Sequence, residues 1–356
     1  MAATIYDIAE RAGVSTATVS RVLNKTSEVR AATRDRVLEA AEALNYQPHA
    51  SAQNLARQRT NYIAVVAPVV ANYFYMRVMR GIQHVLAEEN YDLMIHVPPH
   101  PEHVDKRLES ALQPGRSDGV LLLSTPPSES WAKRLRNADR PTVLVDAHHP
   151  DIESIAVDNE RGGYKATEHL LSLGYERIAH ITAHPEPPPA TQRRRGYERA
   201  LEAAGRSVDD ALIAAADALP FAFAEKGGYR AMQTLLEQRP RPDAVFAASD
   251  MQAVGALRAV HDAGLTVPDD IAIVGFDDID LSEFVGLTTL RQPAQAIGRR
   301  AAEALLRHIE SPNHPVSSTV LAPQLIVRAT CGAESDSDQT IHQAVRRLGG
   351  LAPSAA

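Results

Sequence analysis

The chain has 356 residues, 44% of them hydrophobic and 23% charged, with a formal net charge of −7. It is longer than one ordinary domain and has the composition of a globular protein with sizeable cores, so two or three domains are expected. No stretch approaches the ~18 consecutive apolar residues of a membrane span, and a single cysteine, Cys331, excludes an intramolecular disulfide.

The N-terminal MAATIYDIAERAG enters a helical pattern directly, without the basic and then apolar segments of an export leader. Together with the lone cysteine, this leads to the expectation of a cytoplasmic protein with no membrane partner. Charge is unevenly placed: residues 1–60 hold eight Lys/Arg against six Asp/Glu, a net +2, which leaves −9 on the remainder. A mildly basic head on an acidic body suggests that the head alone meets a polyanion.

In TIYDIAERAGVSTATVSRVLN, apolar residues fall at Ile5, Ile8, Ala9 and Ala12, then at Val19, Val22 and Leu23, both runs at helical spacing. Gly13 ends the first run, and Ser15 is a good N-cap for the second. Two short helices joined by a tight glycine turn read as a helix-turn-helix. A third helix follows, with Val37, Leu38, Ala41 and Leu44 inward, and stops near Pro48. Near its start the second helix turns Ser15, Thr16, Ala17, Thr18, Ser20 and Arg21 outward. Small hydroxyl side chains allow close approach to the major groove, and an arginine can pair bidentately with guanine. A helical bundle with a polar face has the same pattern, so the two helices alone leave both readings open. Residues 46–60 show modest helix propensity after Pro48, with Leu55 the one large apolar residue among small and polar neighbours.

From residue 61 strand-like runs alternate with amphipathic stretches: IAVVAP (63–68), YDLMIHV (91–97), DGVLLLS (118–124), TVLVDA (142–147), RIAHITA (177–183), AVFAAS (244–249) and DIAIVGFDD (270–278). That order means βαβ units and parallel sheets. The strands are too many for one comfortable sheet, so two similar lobes are expected, with a cleft between the carboxyl ends of their strands. No G-x-G-x-x-G follows a strand, and neither a G-x-x-x-x-G-K-[ST] nor a G-x-S-x-G is present. The Gly162-Gly163 and Gly227-Gly228 pairs open or sit within helices. No enzymatic activity, catalytic residue or cofactor is expected.

His96, His100 and His103 in HVPPHPEH look like a metal cluster. Pro98, Pro99 and Pro101 prevent the helix that would put ligands four apart on one face, so a surface loop without metal is expected. His148-His149 follow a strand end with no partner in view. Cys331 is expected in a terminal strand, and the proline-rich AHPEPPPA (183–190) reads as a loop at the cleft rim.

TIYDIAERAGVSTATVSRVLN, TRDRVLEAAEALNYQP and the A-x-A-x-x-L of Ala50, Ala52 and Leu55 resemble the LacI/GalR family of bacterial transcriptional repressors. The resemblance continues, in the family's order, through VDNERGGYKATEHLLSLGYERIAHI, DAVFAASDMQAVGALRAV, VPDDIAIVGFDDI and TTLRQPAQAIGRRAAEALL. It implies an all-α helix-turn-helix headpiece (1–46), a hinge helix and linker (47–60), and an α/β effector-binding and dimerisation domain (61–332). That domain would be two-lobed, with parallel sheets, like periplasmic sugar-binding proteins. Lobe 1 would comprise 61–157 and 290–318, and lobe 2 158–289 and 319–332. In the tail, 333–356, Ile341, Val345 and Leu348 share a helical face, but the stretch is short and a frayed end is expected rather than a tetramer bundle.

The resemblance also implies the site residues. Thr4, Tyr6, Ser15, Thr16, Ala17, Thr18, Ser20, Arg21 and Asn24 would meet double-stranded operator DNA. Ala52 and Gln53 would lie in a hinge helix that inserts Leu55 into the minor groove and bends the duplex. Effector positions map to Tyr73, Phe74, Ser124, Asp146, Arg193, Phe223, Ser249 and Asp277, all at strand ends except Arg193, at a helix start. Carboxylates and a guanidinium can bridge adjacent hydroxyls, and an aromatic face can cover a pyranose. Core packing is the other reading for the aromatics and stays open for the neighbouring Tyr75 and Met76, and an interlobe salt bridge is the other reading for the charged three.

Three positions depart from the family pattern. Arg30 stands where a capping Ser is usual, Tyr73 where Pro is common, and Ser249 where Asn is common. The expected function is a homodimeric, cytoplasmic regulator that associates with the nucleoid when on DNA. It would repress carbohydrate-utilisation genes at a near-palindromic operator until a sugar or oligosaccharide releases it. The alternatives are a co-repressor-dependent or global regulator of the same family and, in a different class, a solute-binding protein.

Overall fold

The computed structural model describes residues 3–24, 29–46, 59–68, 72–98, 103–138, 140–184, 187–217 and 223–333. The hinge residues Ala52, Gln53 and Leu55, His100 and the 334–356 tail lie outside the described residues.

The head is three helices, α1 (Ile5–Ala12), α2 (Thr16–Asn24) and α3 (Ala31–Ala43). Its core is Ile8, Ala9, Ala12, Val19, Val22, Val37 and Ala40, the apolar stripes read from the spacing. On α3, Val37, Ala41 and Leu44 face inward as expected, but Leu38 is exposed and Ala40 is buried. The turn between α1 and α2 depends on Gly13, at φ 65°, whose N–H bonds back to Ala9 and Glu10.

The body contains two six-stranded sheets. In the first, β1 (Tyr62–Val66), β2 (Asp92–His96), β3 (Gly119–Leu123), β4 (Thr142–Val145), β5 (Ser154–Val157) and β11 (Ser318–Leu321) lie in the order β11-β5-β4-β3-β1-β2, all parallel. In the second, β6 (Ile178–His184), β7 (Ile213–Asp217), β8 (Ala244–Ala247), β9 (Ala272–Asp277), β10 (Thr288–Arg291) and β12 (Gln324–Ile326) lie in the order β12-β10-β9-β8-β6-β7, with only β12 antiparallel. The two orders are the same winding repeated, which places a topological switch between β1 and β3 and another between β6 and β8.

Helices cover both faces of each sheet, so its central strands are near-continuous apolar runs, while the edge strands β2, β11 and β12 are partly exposed. Ile63 and Val65 of β1 face helices Tyr73–Glu88 and Ala294–Glu310, while Ala64 and Val66 face helices Val104–Ala111 and Glu129–Arg136. In the second lobe, helices Glu225–Leu236 and Asp250–Asp262 cover one face and Asn159–Ser172 and Pro188–Ala203 the other. The paired glycines serve these layers: a Cβ on Gly163 would stand 2.1 Å from the Arg193 carbonyl oxygen, and one on Gly196 2.0 Å from that of Glu160. The two helices cross in contact through bare backbone.

Several expectations need correction. Residues 290–291 pair within the second sheet through β10, and 318–321 within the first through β11, so the outer lobe boundaries shift by a few residues. Cys331 sits in a 3₁₀ turn, Ala329–Cys331, rather than a strand, buried with His169 Nε2 3.3 Å from its sulfur. Pro188 and Pro189 do not belong to a loop. They open helix Pro188–Ala203, where proline's fixed φ suits the first turn. His96 ends β2, and His103 precedes the next helix without capping it.

Candidate functional site

On the head, Thr4 and Asp7 form a reciprocal capping box that fixes the start of α1. Ser15 Oγ accepts from the Thr18 N–H at 3.2 Å and lies 3.0 Å from Thr18 Oγ1, so both hydroxyls are engaged in starting α2. Tyr6, Ser15, Ala17 and Arg21 are exposed, and Thr16, Thr18 and Ser20 half-buried. Ala17 and Arg21, four apart, share the outer face of α2 with its apolar residues turned inward. Asn24 ends α2. Arg30 precedes α3 with no side-chain cap, so the capping bond a Ser would supply there is missing.

The second cluster lies at the carboxyl ends of the strands beside the two switch points. Ser124 follows β3, Asp146 follows β4 and Asp277 ends β9; their φ values are 45°, 53° and 132°, and Asp278 follows at 56°. The other positive-φ residues besides glycine among those described are all Asn, which tolerates this conformation. A serine and three aspartates, two of them adjacent, held there mark backbone that the surrounding structure strains to aim polar groups.

Arg193 is the hub. Its side chain is 95% buried, with Nε donating to Asn159 Oδ1 at 2.8 Å and Nη1 to the Ala248 carbonyl at 2.6 Å. Asp277 Oδ1 lies 3.9 Å from Nη1, and the guanidinium stacks on Phe276, 3.7 Å from the ring centroid, with Phe223 at 5.9 Å. Ser124 Oγ donates to Asp146 Oδ2 at 2.9 Å, and the Tyr75 hydroxyl is hydrogen-bonded to Ser124. Phe74 packs against the first lobe's core with its ring 5.7 Å from that of Tyr75, and Tyr73 is exposed. Ser249 caps helix Asp250–Asp262, accepting from the Gln252 N–H and donating to the Phe223 carbonyl, so its hydroxyl first serves the fold.

Burial decides the electrostatics. It raises Asp146 and Asp277, Asp277 to about 7, while Arg193 opposes both shifts and Asp250 reinforces that of Asp277. The Tyr75 phenol is raised by burial too, and Arg193 is lowered by burial against the pull of Asp277 and Asp146. One buried guanidinium thus faces two buried carboxylates, a site that favours a polar ligand able to take up the remaining hydrogen bonds.

Sequence reasoning missed two members. Asn159, just past the crossover from β5 into lobe 2, bonds both Arg193 and Asp146. Gln292, at the crossover after β10, donates to Asp277 Oδ1 at 2.5 Å. A polar residue directly after each crossover was the available signal for both. Of the two residues left open between site and core, Tyr75 turns inward to Ser124, whereas Met76 is exposed.

Comparisons with known proteins agree with the fold. Residues 4–49 match bacterial regulatory proteins of the lacI family, and 167–331 a periplasmic binding protein-like domain. The ribose operon repressor of Escherichia coli (strain K12) is 36% identical over 336 residues, covering 92% of this chain and 99% of that one. The chain belongs to the LacI/GalR family of bacterial transcriptional repressors. As a LacI/GalR protein it is a sequence-specific DNA-binding transcriptional regulator with a small-molecule effector. Among solved LacI-family structures, the lac repressor dimer bound to operator and the anti-inducer ONPF superposes with a TM-score of 0.79 at 27% identity, covering 94% of this chain and all of that one. The complex of the regulator CelR with cellobiose has a TM-score of 0.69 at 32% identity, over 92% of this chain and 99% of that one. Among the described residues of this LacI/GalR regulator, no helix is long and apolar enough to cross a membrane.

Proposed function

We propose that this protein is a homodimeric repressor of carbohydrate-utilisation genes, released from a near-palindromic operator when a sugar occupies the cleft. The observation that carries the reading is Arg193, buried against the Phe276 ring with Phe223 5.9 Å away, facing Asp277 at 3.9 Å and drawn on by Asp146 of the other lobe. Adjacent hydroxyls of a sugar suit such a charge set, and its C–H face suits an aromatic wall. The exposed Tyr73 extends that wall, which favours an oligosaccharide. A relative named for the ribose operon and a similar structure holding cellobiose support the same ligand class. Such a site binds its ligand without turning it over.

On the head, Thr16, Ala17 and Arg21 read base edges while Thr4, Tyr6, Ser15, Thr18, Ser20 and Asn24 approach the backbone. Ala52, Gln53 and Leu55 belong to the minor-groove segment. A second copy is needed to grip two half-sites, and the similar lac repressor is a dimer on its operator. Leu281, Phe284 and Val285 form an exposed apolar patch on and just past helix Asp280–Phe284, suited to that contact.

Calorimetry of the full chain with ribose, cellobiose, further sugars, nucleosides and amino acids tests the ligand class. Saturable sugar binding that is lost in Arg193→Met is expected. Binding by a purine or an amino acid alone would defeat the carbohydrate reading. Adding the sugar that binds to operator-bound protein then reads release, and tighter DNA binding would overturn the inducer assignment.

A further inference from the structure

The first lobe has a second opening, at the amino ends of its strands and so at the far end of its sheet from the cleft. A cavity of about 690 Å³ lies there, within the range of small-molecule sites. Its wall includes Arg140 and Thr142 around the start of β4, Glu153 before β5, His308 near the end of helix Ala294–Glu310, and Arg59 and Asp118 where the chain enters the lobe.

The carboxylates of this wall are engaged. Asp118 accepts from the Thr60 N–H at 2.7 Å, the Thr60 hydroxyl at 2.8 Å and the Asn61 N–H at 3.0 Å. Glu153 accepts from the N–H and hydroxyl of Ser317, and Asp151 is paired with Arg136. The donors are not all used. Arg140 gives only Nε, to the Ser117 carbonyl at 2.8 Å, and its two terminal nitrogens have no partner among the described residues. Two buried polar atoms of the wall have no hydrogen-bond partner there either, Thr142 Oγ1 and His308 Nε2. Thr142 is 8% exposed and the His308 side chain 10%; His308 Nε2 stands 3.6 Å from Glu153 Oε2, too far for a hydrogen bond. Two helices end here with partial negative charge, but Arg136 and Arg307 in their last turns offset it.

A guanidinium fork, a hydroxyl and an imidazole, each with capacity unspent, match an oxyanion. We propose that this cavity is a second regulatory site, for a small metabolite bearing phosphate or carboxylate groups. Its wall includes Asp118, which ties Thr60 and Asn61 to the lobe, so an occupant bears directly on the segment joining head to body. The site is separate from the cleft and does not depend on the sugar assignment.

The test uses the full chain. Inorganic phosphate, and in a second arm citrate, is titrated by calorimetry and thermal melting at an ionic strength held constant with sodium chloride. Saturable binding of either is expected. Thr142→Val removes an unpartnered hydroxyl, so the ligand-free melting temperature should hold or rise. Oxyanion affinity should nonetheless fall about tenfold, as for a lost hydrogen bond to a charged group. Arg140→Met should lower affinity in the same way, and Asp146→Asn in the cleft should leave it unchanged. Phosphate binding alone or citrate binding alone assigns the oxyanion within the proposal. A response equalled by chloride, affinity unchanged in both cavity variants, or a gain or loss in Asp146→Asn alone would overturn it.

Discussion

Arg193 shows what one residue contributes. It is the cation facing Asp277 and Asp146, donates to Asn159 and the Ala248 carbonyl, and stacks on Phe276. Arg193→Met removes the shared counter-charge from a buried group, and a loss of about 3–5 kcal/mol in unfolding free energy is expected, measurable by urea denaturation. Arg193→Lys keeps the charge but gives up the planar fork and the stacking, so effector binding should weaken sharply even where the fold survives.

Asp277 gives a pH signature. Its folded pKa of about 7 lies above the ordinary carboxylate value near 4. Between those values the folded protein holds a proton that the unfolded chain has lost. The contribution of this group to stability therefore falls as pH rises through that window and is level above it. A ligand hydroxyl donating to Asp277 favours the ionised form, so binding releases a proton and affinity rises through neutrality. Calorimetry at about pH 6.5 in buffers of different ionisation enthalpy reads the release. An enthalpy that does not vary with buffer contradicts it.

At the scale of elements, helix ends and helix crossings decide the outcome. α3 begins at Arg30 without a side-chain cap, and Arg30→Ser should restore one and stabilise the head by about 0.5–1 kcal/mol. Slower amide exchange in the first turn of α3 in the full chain would register the gain. Gly163→Ala places a methyl 2.1 Å from the carbonyl oxygen of Arg193. An overpacking cost of about 1–3 kcal/mol is expected, and because the displaced backbone carries the hub arginine, effector affinity should fall together with the melting temperature. A stability loss with unchanged affinity would separate the helix crossing from the site.

Legibility in the sequence also differs by element. The seven strands read from the chain are apolar runs, buried in all but the edge strand β2, and each is present. The strands missed are SIAV, IAAAD, TTLR, STVL and QLI, of three to five residues. Length does not separate them, since TVLV and AVFA have four residues and are legible. The missed runs mix small and polar residues with few large apolar side chains, and become strands because a neighbouring edge takes up their backbone groups. Asp146 and Asp277 could be read as strand-end carboxylates. Asn159, Gln292 and Tyr75 could not, because their roles depend on which chain segments meet in space.

At the scale of the molecule, Asn159 and Gln292 lie at two of the crossovers between lobes and bond the charged groups of the cleft. Arg77 of the first lobe also donates to Asp280 of the second at 2.6 Å. A change at the effector site is thereby tied to the relative position of the lobes, the two-state element that allosteric coupling requires. Phe284 is 84% exposed. Phe284→Glu should shift the protein from dimer toward monomer in sedimentation velocity and weaken operator binding, since one head spans only one half-site. A dimer unchanged in mass would place the interface elsewhere.

The sequence by itself determined the helix-turn-helix, the βαβ order, the doubling into two lobes and the family, because local periodicity, caps and turn residues act over a few neighbouring positions. Tertiary structure alone decided that Pro188 and Pro189 begin a helix, that Cys331 faces His169, that Tyr75 turns inward, and that one guanidinium serves carboxylates from both lobes. Those outcomes depend on burial and on contacts between residues far apart in the chain, and no local pattern encodes a desolvated charge or its partner.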